Sequence, residues 1–400
     1  MPILLPKKIN MTEVIPYGKQ FLAQQDIDAV IGVLKNDYWT QGPKIAEFEN
    51  AFARYTGSSY AIAVSNGTAA LHLCALALDV DEQTNVITTP ITFAASANCV
   101  RYCGGNLFFA DIDPATFLLD INKVKTLIES KPEGFFKGII PVDFAGKAID
   151  LEVFKKLANK HGLWIIEDAC HAPGGYFIDS NGIQQNCGNG NFADLSIFSF
   201  HPVKHIACGE GGMITTNNEK LYKKILQLRT HGITKDLALM HENHGGWYME
   251  MQTLGYNYRI PDVLCALGIS QLNRAAEGLQ RRHEIADYYT TALANLPVTL
   301  PVYDKGHAFH LYVIQTAKRK ELYDYLRTQN IYCQVHYIPV HLHPYYKDLG
   351  NKKGDHPLAE AYYEQCLSLP MYPSLTIEQQ EYVVKKIKYF FTNNETGTSA

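Results

Sequence analysis

Apolar and polar positions between residues 60 and 161 follow two periods in alternation. Short apolar runs at 60–64, 85–88, 107–110 and 138–142 read as strands. Between and after them, segments 69–78, 94–102, 121–130 and 151–161 read as helices. That rhythm predicts βαβ units: an α/β fold with a mostly parallel central sheet and helices on both faces. Further apolar strands follow at 163–166, 193–197 and 213–216. A long helical pattern spans 261–293, and a helix of that length usually bridges two domains. Strands at 311–315 and 332–336 and helices at 320–328 and 377–391 then predict a smaller α+β domain. Two amphipathic helices are expected in the leading fifty residues, near 23–34 and 45–55. The expected organisation is a helical leader (1–55), a large domain (56–260), a bridging helix (261–296) and a small carboxyl-terminal domain (297–392). The small polar tail 393–400 is expected to be disordered.

Ligands of such sheets bind beyond the carboxyl ends of the strands, and three chemical features fall there. The strand at 163–166 ends in Glu167-Asp168. The strand at 193–197 runs into Phe198-Ser199-Phe200-His201-Pro202-Val203-Lys204, followed by Gly209-Glu210-Gly211-Gly212. The strand at 60–64 is followed by Ser65-Asn66-Gly67-Thr68, which opens a helix. Free N–H groups at that helix start, with the Thr68 hydroxyl, suit a phosphate, and Ser199 offers a second hydroxyl. A lysine able to form an imine and a carboxylate able to hold a protonated ring nitrogen are what pyridoxal phosphate requires. Separately, Lys204 reads equally as a surface lysine, Asp168 as an acidic strand end and Asn66-Gly67-Thr68 as ordinary capping. Together, in this order, they point to that cofactor. Phe93, at the end of the next strand, would stack on the pyridine ring, and His171 would reach the ring oxygen or backbone.

Composition narrows the classes. With 400 residues, 46% hydrophobic and 19% charged, the chain has material for a large core. A net charge of −4 suggests neither nucleic acid nor an anionic membrane as partner. Nine cysteines, an odd number with no Cys-x-x-Cys pair, fit reduced thiols better than disulfides or zinc. Residues 1–8 are too short and proline-broken for a signal segment, and no apolar run approaches the roughly twenty residues of a membrane span. A cytoplasmic setting is expected. His336, His341 and His343 invite a metal reading, but no further ligand stands at a zinc-like spacing, so no metal is expected.

The combined motifs resemble the DegT/DnrJ group of nucleotide-sugar aminotransferases. The resemblance rests on Gly67-Thr68-Ala69-Ala70-Leu71, Thr92-Phe93, Glu167-Asp168-Ala169-Cys170-His171-Ala172, the Phe198 to Lys204 segment and Gly209-Glu210-Gly211-Gly212. Gly255-Tyr256-Asn257-Tyr258-Arg259 and Val335-His336-Tyr337-Ile338-Pro339-Val340-His341 stand in family order too. It implies a fold-type I pyridoxal phosphate transferase with Lys204 as the covalent attachment point and Asp168 on the ring nitrogen. Phe93 would stack on the ring, and Gly67, Thr68 and Ser199 would hold the phosphate. Asn257 would reach the phosphate of a neighbouring subunit, making a homodimer with shared sites. Arg259 would bind the donor's carboxylate, and His336, Tyr337 and His341 would line the sugar pocket. Related dehydratases carry histidine in place of the lysine; here that position is Lys204, which favours transamination.

The opening Ile15-Pro16-Tyr17-Gly18 and the run from Leu34 to Pro43 resemble the PseC branch of this family. So do Thr88-Thr89-Pro90-Ile91, Val142-Asp143-Phe144-Ala145-Gly146-Lys147 and His201-Pro202-Val203-Lys204. That branch implies L-glutamate as donor and C4 of UDP-2-acetamido-2,6-dideoxy-β-L-arabino-hexos-4-ulose as acceptor. A dTDP- or GDP-linked 4-keto-6-deoxyhexose is the main rival. An amino-acid aminotransferase and a non-catalytic regulator of the same fold stand behind it.

Overall fold

The computed structural model describes residues 13–36 and 38–395. The reading of residues 1–8 and, for residues 396–400, that of the tail lie outside them; residues 393–395, expected in the disordered tail, instead continue the last helix. Seven strands form the central sheet: β1 (Tyr60–Val64), β2 (Asn85–Thr88), β3 (Asn106–Phe109), β4 (Phe136–Ile140), β5 (Trp164–Asp168), β6 (Leu195–Ser199) and β7 (Gly212–Thr216). Their order is β1-β7-β6-β5-β4-β2-β3, all parallel except β7, which runs against both neighbours. This is the α/β architecture that the alternation of periods predicts.

The helices are α1 (Gln24–Leu34), α2 (Pro43–Thr56), α3 (Gly67–Ala77), α4 (Ala95–Tyr102), α5 (Ile121–Glu129), α6 (Leu151–His161), α7 (Glu219–Arg229), α8 (Asp262–Leu272) and α9 (Ala275–Leu293). In α3 almost every side chain is buried, and its alanines let it lie close against the sheet. Asn66 caps α3 by accepting the Ala69 N–H at 2.8 Å. Gly162, at φ +67°, ends α6 in a left-handed turn that side chains other than glycine adopt at a cost.

The single long helix expected over 261–293 is broken at Asn273-Arg274 into α8 and α9. The reason lies in α1, where Asp26 is fully buried. Gln271 donates to Asp26 Oδ2 at 2.8 Å, and the Arg274 guanidinium pairs with the same oxygen. A buried carboxylate needs such a cation, and the break brings Arg274 to it. Asp262, at the start of α8, accepts the N–H groups of Gly42 and Lys44 at 2.8 and 2.9 Å and so caps α2 from far along the chain.

The carboxyl-terminal part pairs β8 (Tyr312–Gln315) with β9 (Cys366–Leu369), antiparallel, and packs α10 (Arg319–Thr328), α11 (Pro357–Gln365) and α12 (Ile377–Glu395) around them. Ile15 enters this core, and Ile15–Pro16 pairs with Ile331–Tyr332. Residues 15–16 are therefore stitched to the carboxyl-terminal part, which the leader reading did not anticipate. The strand expected over 332–336 stops at Tyr332; beyond a bridge from Gln334 to Ser368, residues 335–337 turn towards the large sheet.

Candidate active site

Where β1, β5 and β6 end, a cleft of about 980 Å³ opens between the sheet and the carboxyl-terminal part. Gly67 and Thr68 line it from the start of α3, Asp168 from the end of β5, and Ser199 and Lys204 from the end of β6. Phe93 enters from the β2–α4 connection, and His171, His336 and Tyr337 complete the predicted set. Three predicted residues lie elsewhere. Asn257 is exposed and, like Arg259, is not among the residues lining the cleft. His341, expected in the sugar pocket, is wholly buried outside it, with Nε2 3.0 Å from Glu360 Oε1. The short helical turn of residues 340–342 aims that ring at Glu360 and away from the cleft.

Asp168 is buried, and both of its oxygens already accept bonds. Ser96 Oγ donates to Oδ2 at 2.6 Å and the Cys170 N–H to Oδ1 at 3.1 Å. Each carboxylate oxygen keeps a further acceptor direction, so the group is both fixed and able to take a ring N–H. Ser96 in turn bonds Thr92 Oγ at 2.8 Å. Neither Ser96 nor this relay was singled out by sequence; the signal was only the spacing of Ser96 from Thr92-Phe93.

His171 Nδ1 accepts the Ala145 N–H at 3.2 Å, which puts the ring proton on Nε2, 3.3 Å from the Tyr337 hydroxyl. Burial, reinforced by the charge of Lys204, holds His171 well below the usual imidazole range. Burial likewise lowers His336, to about 3. The Lys204 amine is lowered chiefly by burial; Cys170 and Asp168 oppose the shift and Arg282 adds to it. A lysine of lowered basicity is a better nucleophile and base near neutral pH.

Behind Asp168, on the opposite face of the strand, Glu167 and Asp143 are both buried. Burial pushes Asp143 up strongly, with the charge of Glu167 adding, and burial raises Glu167 as well. Glu167 also accepts the Gly188 N–H at 2.9 Å and Asp143 the Ile149 N–H at 2.9 Å.

Pyridoxal phosphate fits this cradle. The first N–H groups of α3, at Gly67 and Thr68, have no intrahelical acceptor, and both residues line the cleft. A Cβ at Gly67 would stand 3.0 Å from Ser199 Cβ and 3.6 Å from Cys170 Sγ, filling the space beside those groups. Phe93 is 62% exposed, an apolar ring left open to the cleft.

Residues 20–388 match the DegT/DnrJ/EryC1/StrS aminotransferase family. The chain belongs to this family. Its members are pyridoxal phosphate enzymes, and solved neighbours occur in PLP and PMP forms. Among the relatives, the spore coat polysaccharide biosynthesis protein SpsC of Bacillus subtilis is 37% identical over 94% of this chain and 96% of its own. The UDP-4-amino-4,6-dideoxy-N-acetyl-β-L-altrosamine transaminase of Campylobacter jejuni is 36% identical over 92% of this chain and 95% of its own. The structure of Helicobacter pylori PseC, an aminotransferase of pseudaminic acid biosynthesis, superposes with a TM-score of 0.85. It is 30% identical, covering 95% of this chain and all of that one. This DegT-family chain is thus a PLP-dependent sugar aminotransferase. Among its described residues no helix is long and apolar enough to cross a membrane.

Proposed function

We propose that this DegT-family enzyme moves the amino group of L-glutamate to C4 of UDP-2-acetamido-2,6-dideoxy-β-L-arabino-hexos-4-ulose. The product would be UDP-4-amino-4,6-dideoxy-N-acetyl-β-L-altrosamine. The observation that carries the sugar assignment is the similarity, along nearly whole chains, to the C. jejuni transaminase and to PseC. The similarity to SpsC supports a second reading, in which the acceptor is another nucleotide-linked keto sugar used for a coat polysaccharide.

The bound cofactor supplies an electron sink for the charge left when a proton leaves carbon. Gly67, Thr68 and Ser199 anchor its phosphate, Phe93 covers the ring face, and Asp168, held by Ser96 and the Cys170 N–H, keeps the ring nitrogen protonated. Lys204 Nζ takes the proton from Cα of the donor and later delivers one to C4 of the sugar. Both transfers occur from the lysine's side of the cleft, which sets the configuration of the new amine. His336 and Tyr337 border the sugar. Tyr337 keeps its phenol proton because burial raises it further above the usual range. Asn257, exposed and away from its own cleft, serves the phosphate of a second copy in a homodimer, and Arg259 meets the donor's carboxylate. The setting is the cytoplasm, where the nine free cysteines stay reduced.

Adding L-glutamate to the yellow enzyme should bleach its visible band, and the proposed UDP-keto sugar should restore it faster than dTDP- or GDP-4-keto-6-deoxyhexoses. Preference for another nucleotide would overturn the sugar assignment. Lys204→Ala should abolish turnover, and an active variant would sink the enzyme reading itself.

A further inference from the structure

We propose that His310 is a positioning residue for Lys204, holding the lysine amine on the face of the cleft from which both proton transfers occur. The proposal rests on the reading of Lys204 as the catalytic lysine. His310 stands just before β8, far from Lys204 in sequence, yet its Nε2 lies 3.5 Å from Lys204 Nζ. Among the described residues no carboxylate lies within ion-pair distance of that amine. The imidazole is therefore the side chain best placed to orient it.

The histidine is built in. It is 4% exposed and lines the cleft. Its backbone is clamped from three sides. Arg282 of α9, itself buried, donates from Nη1 to the carbonyls of Phe309 (3.0 Å) and His310 (3.3 Å) and to that of Met371 (3.0 Å). Ala308 N–H reaches Gly146 O at 2.7 Å and Leu311 N–H reaches Ala145 O at 3.1 Å, so residues 308–311 are laced to the loop that also holds His171. His205, next to Lys204, approaches Ala308 O at 2.8 Å. The His310 ring lies 4.3 Å from the His171 ring, centroid to centroid, at 40°.

What separates this from an ordinary core histidine is its neighbour, the Lys204 amine at 3.5 Å. Nδ1 is buried without a hydrogen-bond partner. The ring's polar contact is with Lys204 Nζ, while its faces meet the rings of His171 and His205. With Nδ1 isolated it has no route to pass a proton onward, so it steers the lysine rather than relaying to solvent. The lysine stem, four carbons long and carrying about 2 kcal/mol of rotamer entropy, is what needs steering.

The test compares His310→Leu with His310→Gln, which keeps a polar group near the Nε2 position. In stopped-flow bleaching with L-glutamate, His310→Leu should slow the half-reaction about 10-fold or more at unchanged glutamate KM, and His310→Gln should recover most of it. A second readout needs no turnover. In cofactor-free protein, the rate of reductive methylation of Lys204 is followed by mass spectrometry across pH. Loss of the acceptor should move its midpoint down by about 0.4–1 pH unit, and His310→Gln should restore it. Asp168, Cys170, His171, His205, His336 and Arg282, the other groups facing the amine, are the same in all variants. A His310→Leu enzyme within twofold of the parent in both readouts would refute the positioning role. So would equal impairment of both variants accompanied by equal loss of Tm, the signature of a purely structural histidine. Failure of the lysine reading itself would show instead as activity in Lys204→Ala.

Discussion

Removing the Ser96 hydroxyl tests the structure where the sequence offered least. Ser96 is fully buried, and its Oγ donates to Asp168 Oδ2 at 2.6 Å, within the range of O–H···O⁻ bonds. In Ser96→Ala, Asp168 keeps only the Cys170 N–H, at 3.1 Å on the other oxygen. A bond to a charged group contributes roughly 1.5–3 kcal/mol, and tenfold in an equilibrium corresponds to about 1.4 kcal/mol. If that bond holds Asp168 in place for the ring nitrogen, its loss should weaken pyridoxal phosphate binding by about 10- to 150-fold. The half-reaction should slow with it. The assay is a titration of cofactor-free protein with pyridoxal phosphate, read by visible absorbance, beside stopped-flow bleaching by L-glutamate. Cofactor affinity and half-reaction rate within twofold of the parent would refute the claim that Ser96 orients Asp168.

Glu167→Gln keeps the acceptor for the Gly188 N–H while removing one carboxyl of the buried pair. A carboxyl whose folded value is raised favours folding below its unfolded value and loses that contribution as pH rises. The variant should therefore gain more in Tm, relative to the parent, at pH 8 than at pH 5; an equal or opposite difference by calorimetry would contradict the raised carboxyls. Burial holds His307 and His336 at about 3. The unfolded chain binds protons below about 6.5 that these rings do not, so stability should fall as pH drops from there towards 3. At pH 5.5 each ring costs about 1.4 kcal/mol, some 3 kcal/mol together, and His307→Gln should remove half of that loss in urea titrations at pH 7.5 and 5.5. A variant with the parent's full pH dependence would show that His307 is not held neutral.

The alternation of apolar periods between residues 60 and 161 determined the sheet and its helices, because burial on two faces leaves near-continuous apolar strands. The same sequence logic placed Lys204, Asp168 and Gly67-Thr68 at strand ends, since chemistry in such sheets collects there. What sequence could not supply was contact between distant positions. Asp26 breaks the helix at Asn273-Arg274 because a buried carboxylate takes its cation from wherever the fold brings one. His341 is turned to Glu360, whereas His310, which no motif marked, reaches Lys204. Ser96 bonds an aspartate seventy-two residues away. A periodic pattern records which face of an element is buried, but the partner of a buried polar group is fixed only when the elements pack.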